Sequence, residues 1–299
     1  MRELVVLSGK GGTGKTSLVA AFAALAERKA LADCDVDAAD LHLILTPEIQ
    51  RVEEFEGRRR ARIIADRCAG CGECAAHCRF GAIAFDGPGN GAVEKTWRVD
   101  PLACEGCGVC GYVCPTQAVE FCLGRDGEWY ISETRHGPMV HARLDPGGEN
   151  SGKLVTLVRE RARELAKERN LDLLLVDGSP GIGCPVIASV AGTDLVLGVA
   201  EPTLSSQHDL ERLAALTAHF RTPMVVCLNR ADLNSEVASA IERWCTARGI
   251  RIVGRIPYDP AFNEAQAQRK SVVEVGDGPA ARALREVWQE TRATLTAIR

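Results

Sequence analysis

The stretch that most limits how this chain can fold is Gly9-Lys10-Gly11-Gly12-Thr13-Gly14-Lys15-Thr16, which fits G-x-x-x-x-G-K-[ST] without a mismatch. It follows the short apolar run Glu3–Leu7, read as a buried strand, and precedes Ser17–Glu27, an alanine-rich stretch read as a helix. Strand, glycine loop and helix is the arrangement in which backbone N–H groups curl round phosphate oxygens and a helix N-terminus adds positive charge. Gly9, Gly11, Gly12, Thr13, Gly14 and Ser17 would form that cradle, Lys15 would reach the β- and γ-phosphates, and Thr16 would offer its hydroxyl to Mg²⁺. A glycine-rich turn that binds nothing explains neither the full match nor its position. A second string, Gly147 to Leu154, also reads G-x-x-x-x-G-K but puts Leu154 where the hydroxyl belongs, so it is not a second nucleotide site. Asn150 or Ser151 is expected there to cap a helix running to about Arg169.

The rest of the chain has the same strand–helix rhythm. A second strand ends in Asp33-Cys34-Asp35-Val36-Asp37, and from Leu173 strands at 173–176, 195–199, 224–228 and 250–256 alternate with helices starting near Cys184, Ser205 and Ser235. Such alternation predicts an α/β fold with a doubly wound, mostly parallel sheet. Between 63 and 122 the rhythm stops, which predicts a discontinuous domain of residues 1–62 and 123–299 interrupted by an insert. The basic run Arg58-Arg59-Arg60-Ala61-Arg62 just before it reads as a solvated linker, or else a docking patch for an acidic partner.

The insert holds most of an unusual cysteine complement, 13 in 299 residues. With 46% apolar and 25% charged residues the chain can bury a core, so disorder and low-complexity fibres are excluded. A net charge of −4 argues against nucleic acid as a partner. No signal core and no apolar run long enough to span a bilayer are visible, so a cytoplasmic protein without membrane insertion is expected. In a reducing compartment clustered cysteines read as metal or redox ligands. Cys68, Cys71, Cys74 and Cys78 form C-x₂-C-x₂-C-x₃-C, and Cys104, Cys107, Cys110 and Cys114 repeat it with Pro115 behind. This is the bacterial ferredoxin run given twice, which predicts an α+β ferredoxin-like insert and two [4Fe–4S] clusters. The fourth cysteine of each run is expected to serve the other cluster: Cys68, Cys71, Cys74 with Cys114, and Cys104, Cys107, Cys110 with Cys78. Two zinc sites are the competing reading, but zinc motifs pair two C-x₂-C units across a longer spacer. Arg79 stands where the ferredoxin pattern has proline, and His77 reads as a solvent-facing loop residue. Of the remaining cysteines, Cys122, Cys227 and Cys245 read as packing residues; Cys34, beside the acidic run, and Cys184, just after Gly183, are left open, with helix-start packing the preferred reading of Cys184 over a remnant cluster ligand.

The extra Lys10 makes the loop resemble the deviant Walker A of the MinD/ParA-type ATPases, among them the nitrogenase iron protein. Asp33 to Asp37 resembles the family's switch I, Asp177-Gly178-Ser179-Pro180-Gly181 its switch II, and Asn229-Arg230-Ala231-Asp232 its base-recognition turn. With the cysteine insert, and with Glu201-Pro202-Thr203 and Ile256-Pro257-Tyr258-Asp259, the whole chain resembles MinD-superfamily ATPases carrying a ferredoxin domain. The resemblance implies that Lys10 reaches the partner's nucleotide in an ATP-bound homodimer, that Asp35 positions the attacking water or the Mg²⁺ shell, and that Asp177 reaches Mg²⁺ through water. It further implies that Asn229 and Pro257 contact the base. Asp33, Asp37 and Asp40 read as turn or cap residues.

On this footing MgATP hydrolysis coupled to electron transfer through two clusters to a partner metalloprotein is the leading expectation. An ATP-dependent carrier or assembly protein for an iron–sulfur or metal cofactor is the alternative. A spatial-positioning ATPase would need a membrane-binding C-terminal helix, and Leu284, Val287, Trp288, Leu295 and Ile298 share a face there; a helix docked on the sheet gives the same pattern and is preferred.

Overall fold

The computed structural model describes residues 1–146, 148 and 151–298, so the expected cap at Asn150 lies outside the described residues. From the N-terminus the chain forms β1 (Arg2–Ser8), α1 (Lys15–Leu25), β2 (Lys29–Asp33), α2 (Leu41–Leu45) and β3 (Glu48–Ile63). Then come α3 (Glu73–Ala76), β4 (Ile83–Gly87), β5 (Thr96–Val99), α4 (Val109–Val113), β6 (Val119–Thr134) and β7 (Gly137–Leu144). Alternation resumes with α5 (Ser151–Glu168), β8 (Leu173–Asp177), α6 (Cys184–Val190), β9 (Leu195–Ala200), α7 (Leu204–His219), β10 (Met224–Asn229), α8 (Ser235–Ala247) and β11 (Arg251–Ile256). The chain closes with α9 (Ala261–Ala267), α10 (Val272–Val275) and α11 (Pro279–Ala297).

Two compact units result, one of Met1–Glu53, Trp129–Arg143 and Ser151–Arg299, the other of Glu54–Glu128 and Leu144–Asn150. The second is wider than the 63–122 insert read from the cysteines, because β3 and β6 each run from one unit into the other. Their length escaped the sequence reading. Glu48–Ile63 is mostly charged and exposed, and as the last strand of its sheet it has no need of an apolar alternation.

The sheet order is β11-β10-β9-β1-β8-β2-β7-β6-β3, and β1 pairs in parallel with both β8 and β9. The strand order therefore changes direction beside β1, and crevices outside the carboxyl end of such a strand are where α/β sheets hold ligands. Strands β1, β2 and β8 are almost entirely buried, which is why they read as unbroken apolar runs. Helix α1 is apolar nearly all round and is correspondingly buried, with Phe22 inaccessible and 4.9 Å from the ring of Trp288 on α11. Leu284, Val287 and Leu295 complete that contact, so the C-terminal helix spends its apolar face on the core. Burial of each such side chain stabilises the fold by about 1.5–3 kcal/mol. Among the described residues no helix is long and apolar enough to cross a membrane.

In the second unit β4 and β5 pair antiparallel, and Ala61, Ala82, Val99 and Cys104 make a small core. Helices α3 and α4 each start after a left-handed glycine in a cysteine loop, Gly72 at φ 87° and Gly108 at φ 88°. The basic run is part of a strand rather than a linker, with Arg59 and Arg62 exposed. It lies in β3, where strand alternation turns Arg58 and Arg60 the same way, and both ion-pair with the fully buried Asp126. The Asp126 carboxylate also accepts the Arg58 backbone N–H at 2.7 Å.

Candidate functional site

A cavity of about 750 Å³ opens at the carboxyl end of β1. Its floor is Gly11, Gly12, Thr13, Gly14, Lys15, Thr16 and Ser17; Asp35, Asp40, Leu43 and Ile44 line another stretch, and Asn229, Arg230, Pro257, Tyr258, Asp259, Phe262, Asn263 and Gln266 the remainder. The P-loop reading therefore gathers Asp35, Asn229 and Pro257 round one space. Gly9 packs behind it, where an added Cβ would fall 2.0 Å from Asp209 Cβ.

Lys15 is buried, and its Nζ contacts Asp177 Oδ1 closely and Asp35 Oδ2 at 3.6 Å. Burial pulls against the charge on Lys15, but Asp177 and Asp35 more than offset it and hold the ammonium above its ordinary pKa. Asp35 is pushed up to about 6, chiefly by burial against the opposing pull of Lys15. Asp33 behind it is raised well above the usual carboxylate range, again by burial and then by Asp177. Its two oxygens accept the backbone N–H groups of Asp35 at 3.1 Å and Leu41 at 3.3 Å, which shapes the loop leading to α2 and agrees with a turn role. Asp40 has the N-cap position of α2 without a side-chain cap bond, and its side of the loop faces the cavity.

Two buried oxygens here have no hydrogen-bond partner, Thr13 Oγ1 and Asp177 Oδ2. Leaving such groups unpaired costs about 1–3 kcal/mol each, so a polar ligand at this position would recover a real penalty. With the Thr16 hydroxyl nearby, the donor set is hard oxygen, which suits Mg²⁺ and phosphate.

Asn229, expected against a base, lines the cavity; its Nδ2 donates to the Thr13 carbonyl at 2.8 Å and its Oδ1 accepts the Arg230 N–H at 3.0 Å, so it also braces the glycine loop. Lys10 contacts Glu201 Oε2 at 3.6 Å and Ser205 Oγ at 3.4 Å, and Glu201 also pairs with Arg230. Thr203, in the expected Glu-Pro-Thr loop, caps α7 by accepting the Ser206 N–H. Sequence reasoning passed over Phe262, Asn263 and Gln266, although Gln266 donates to Ser17 Oγ at 2.8 Å. A short polar helix carries no motif that would have flagged it.

In the second unit a cavity is lined by Cys78, Cys104, Cys107 and Cys110, with Phe80, Val99 and Phe121. Around Cys74, whose thiol burial pushes up to about 11, the further influences come from Cys68, Cys71 and Cys114. Cys78 of the first run thus shares a cavity with Cys104, Cys107 and Cys110 of the second. Among the described residues no three His, Cys, Asp or Glu side chains converge tightly enough to hold one metal ion. A cubane asks for less convergence than a zinc ion, since each thiolate meets a different iron. His77 is half exposed, with Nδ1 at 2.9 Å from the Glu73 carbonyl. Cys227 and Cys245 are buried packing residues and Cys34 is fully buried, whereas Cys122 and Cys184, expected to pack, are exposed.

Comparison with known proteins agrees with the P-loop fold. An uncharacterized protein of Methanocaldococcus jannaschii, MJ0578, is 32% identical over 237 residues, covering 78% of this chain and 79% of its own. The antiactivator FleN of Pseudomonas aeruginosa is 23% identical over 293 residues, covering 92% of this chain and 80% of its own. Among solved structures, the MinD cell division protein of Aquifex aeolicus superposes with a TM-score of 0.56 at 19% identity, covering 98% of this chain and 97% of that one. The septum site-determining protein MinD of Pyrococcus horikoshii, complexed with Mg-ADP, gives 0.56 at 16% identity over 99% of this chain and 98% of its own. Residues 4–272 match the CobQ/CobB/MinD/ParA nucleotide binding domain, and the chain belongs to that family of P-loop proteins.

Proposed function

We propose that this chain binds MgATP in the P-loop cavity, hydrolyses it as a nucleotide-dependent homodimer, and uses the cycle to gate electron transfer through two [4Fe–4S] clusters to a partner metalloprotein. The observation that carries the nucleotide half is the pair of unpartnered buried oxygens, Thr13 Oγ1 and Asp177 Oδ2, beside a buried lysine and a glycine cradle.

Phosphoryl transfer needs a positioned water and compensation of charge on the β- and γ-oxygens. Lys15 supplies the charge once it exchanges its Asp177 contact for phosphate, and the half-buried Asp35 is the carboxylate that orients the water. Mg²⁺, held by the Thr16 hydroxyl and by Asp177 through water, would neutralise the bridging oxygens. Lys10 must leave Glu201 and Ser205 to serve a partner's nucleotide. In the second unit Cys68, Cys71, Cys74 and Cys114 would hold one cluster and Cys104, Cys107, Cys110 and Cys78 the other, each cluster storing and releasing one electron. The carrier reading draws on a different observation, the exposure of Cys71 and Cys107, one thiol in each set.

EPR of the dithionite-reduced protein, with and without MgATP, tests the coupling. Two interacting [4Fe–4S]⁺ signals that respond to MgATP are expected, and electron delivery lost in Lys15→Ala. A zinc-containing, EPR-silent protein would overturn the cluster reading, and unchanged delivery in Lys15→Ala would overturn gating. Iron passing to an apo-protein faster than it exchanges into this chain would favour the carrier.

A further inference from the structure

Arg135, in the two-residue turn between β6 and β7, uses every N–H of its guanidinium on three separate segments. Nε and Nη2 grip Glu274 Oε1 and Oε2 at 2.8 and 2.9 Å. Nη1 donates to the carbonyls of Ile44 and Leu45 at 3.2 and 3.0 Å, and Nη2 donates also to the Arg269 carbonyl at 3.1 Å. Ile44 and Leu45 are the last residues of α2, where helix carbonyls lack partners and the dipole is negative, so a cation is favoured there. Glu274 belongs to the capping box of α10, its Oε2 accepting the Ser271 N–H at 2.7 Å while His136 Nε2 lies 3.0 Å from Oε1.

These segments adjoin the nucleotide cavity. Leu43 and Ile44 of α2 line one stretch of it, and Phe262, Asn263 and Gln266 of α9, which leads through Arg269 to α10, line another. Helices of five, seven and four residues are too short to hold their place by their own propensity. Arg135 does not itself line the cavity.

We propose that Arg135 is a positioning residue for the nucleotide: it ties the α2 wall to the α9–α10 wall and so sets affinity from outside the cavity. The inference rests on the nucleotide reading above. Because the bonds of Arg135 go to Ile44, Leu45, Arg269 and Glu274 and not to the glycine loop, Lys15 or Asp177, it is expected to act on binding and to leave phosphoryl transfer alone.

The test is titration of the full chain with a fluorescent ATP analogue plus steady-state ATPase assays on wild type, Arg135→Ala, Arg135→Lys and the swap Arg135→Glu with Glu274→Arg. In Arg135→Ala, Kd and KM are expected to rise about tenfold with kcat within about twofold. Arg135→Lys, with fewer donors and no fork, should recover part of the loss. The swap can re-form the ion pair, but its glutamate cannot donate to the α2 carbonyls and its arginine cannot accept the Ser271 N–H, so affinity should stay low. Wild-type affinity in Arg135→Ala, or full recovery of affinity in the swap, would overturn the proposal by reducing Arg135 to an anchor for α10. Should the alanine variant not fold, Arg135→Lys carries the test, and wild-type affinity there would overturn it. A wild-type chain that binds no analogue would overturn the nucleotide reading itself.

Discussion

The side-chain amide of Asn229, at the end of β10, donates to the carbonyl of Thr13 in the glycine loop at 2.8 Å, and the two residues are 216 positions apart in sequence. The same nitrogen would stand 2.3 Å from a Cβ built on Gly14, whose φ is 86°. Asn229 and Gly14 thus form one joint. The left-handed backbone at Gly14 is the start of α1, and the amide holds the Thr13 carbonyl just before it.

Asn229→Ala should therefore weaken nucleotide binding through the loop. A lost buried hydrogen bond of about 1–2 kcal/mol corresponds to roughly tenfold in Kd. Gly14→Ala should do worse, because it meets both the strained φ and the amide. Isothermal titration with ATP measures both, and an Asn229→Ala chain with unchanged affinity but altered preference between ATP and GTP would return Asn229 to base recognition.

Lys15→Ala should lower ATPase activity by on the order of a hundredfold or more, as loss of a charge aimed at the transferring group does. It should also destabilise the nucleotide-free protein, since Asp177, Asp35 and Asp33 lose their buried cation, and breaking such a pair costs about 3–5 kcal/mol. The pH dependence has a defined sign. Asp35 sits at about 6 against an ordinary 3.8, so its ionised form is disfavoured by folding and stability falls as pH rises between those values. Removing Lys15 extends that loss upward. In Mg²⁺-free buffer the melting temperature of Lys15→Ala should recover between about pH 8 and about pH 6, while wild type changes little across that window.

His141 gives a second pH signature, remote from phosphate chemistry. It is buried on β7, stacked on Tyr130 with centroids 4.8 Å apart, and its Nε2 lies 2.9 Å from Ser132 Oγ. Burial, and then the neighbouring His42, hold it down to about 4 from an ordinary 6.5. Protonation is thus easier in the unfolded chain, so the stability is complete above about 6.5 and is lost as pH falls towards about 4, to a total of roughly 3 kcal/mol. Urea unfolding across that range should show the slope in wild type and a shallower one in His141→Gln.

Local, motif-bearing features were legible in the sequence. The glycine loop, Lys15, Thr16 and the alternating strands β8 to β11 depend on spacing within a few residues, and spacing is what a sequence displays. The joint between Asn229 and Thr13 depends on which strand ends meet across a crossover, and no local pattern encodes that. Arg135 is harder still, since a turn arginine looks the same whether its donors face water or five acceptors. The charged strand β3 misled for a related reason: Arg58 and Arg60 resemble a solvated run until Asp126, far along the chain, is brought between them.

The proposed crossed ligand sets lead to a prediction that separates two clusters from other metal chemistry. In the proposal Cys114 of the second run serves with Cys68, Cys71 and Cys74, and Cys78 of the first run, which lines the cavity of Cys104, Cys107 and Cys110, serves with those three. Replacing Cys114 by serine should then disturb the same EPR signal as replacing Cys71, and replacing Cys78 the same signal as replacing Cys107. Two uncrossed sites, one per run, would pair the effects the other way. Cys122→Ser and Cys184→Ser are controls, being exposed thiols outside both sets, and iron content should stay at wild-type level in both. If each of the four ligand variants instead lost about one of two bound zinc equivalents and no iron, the thiols would be serving zinc and the electron-transfer half of the proposal would fall.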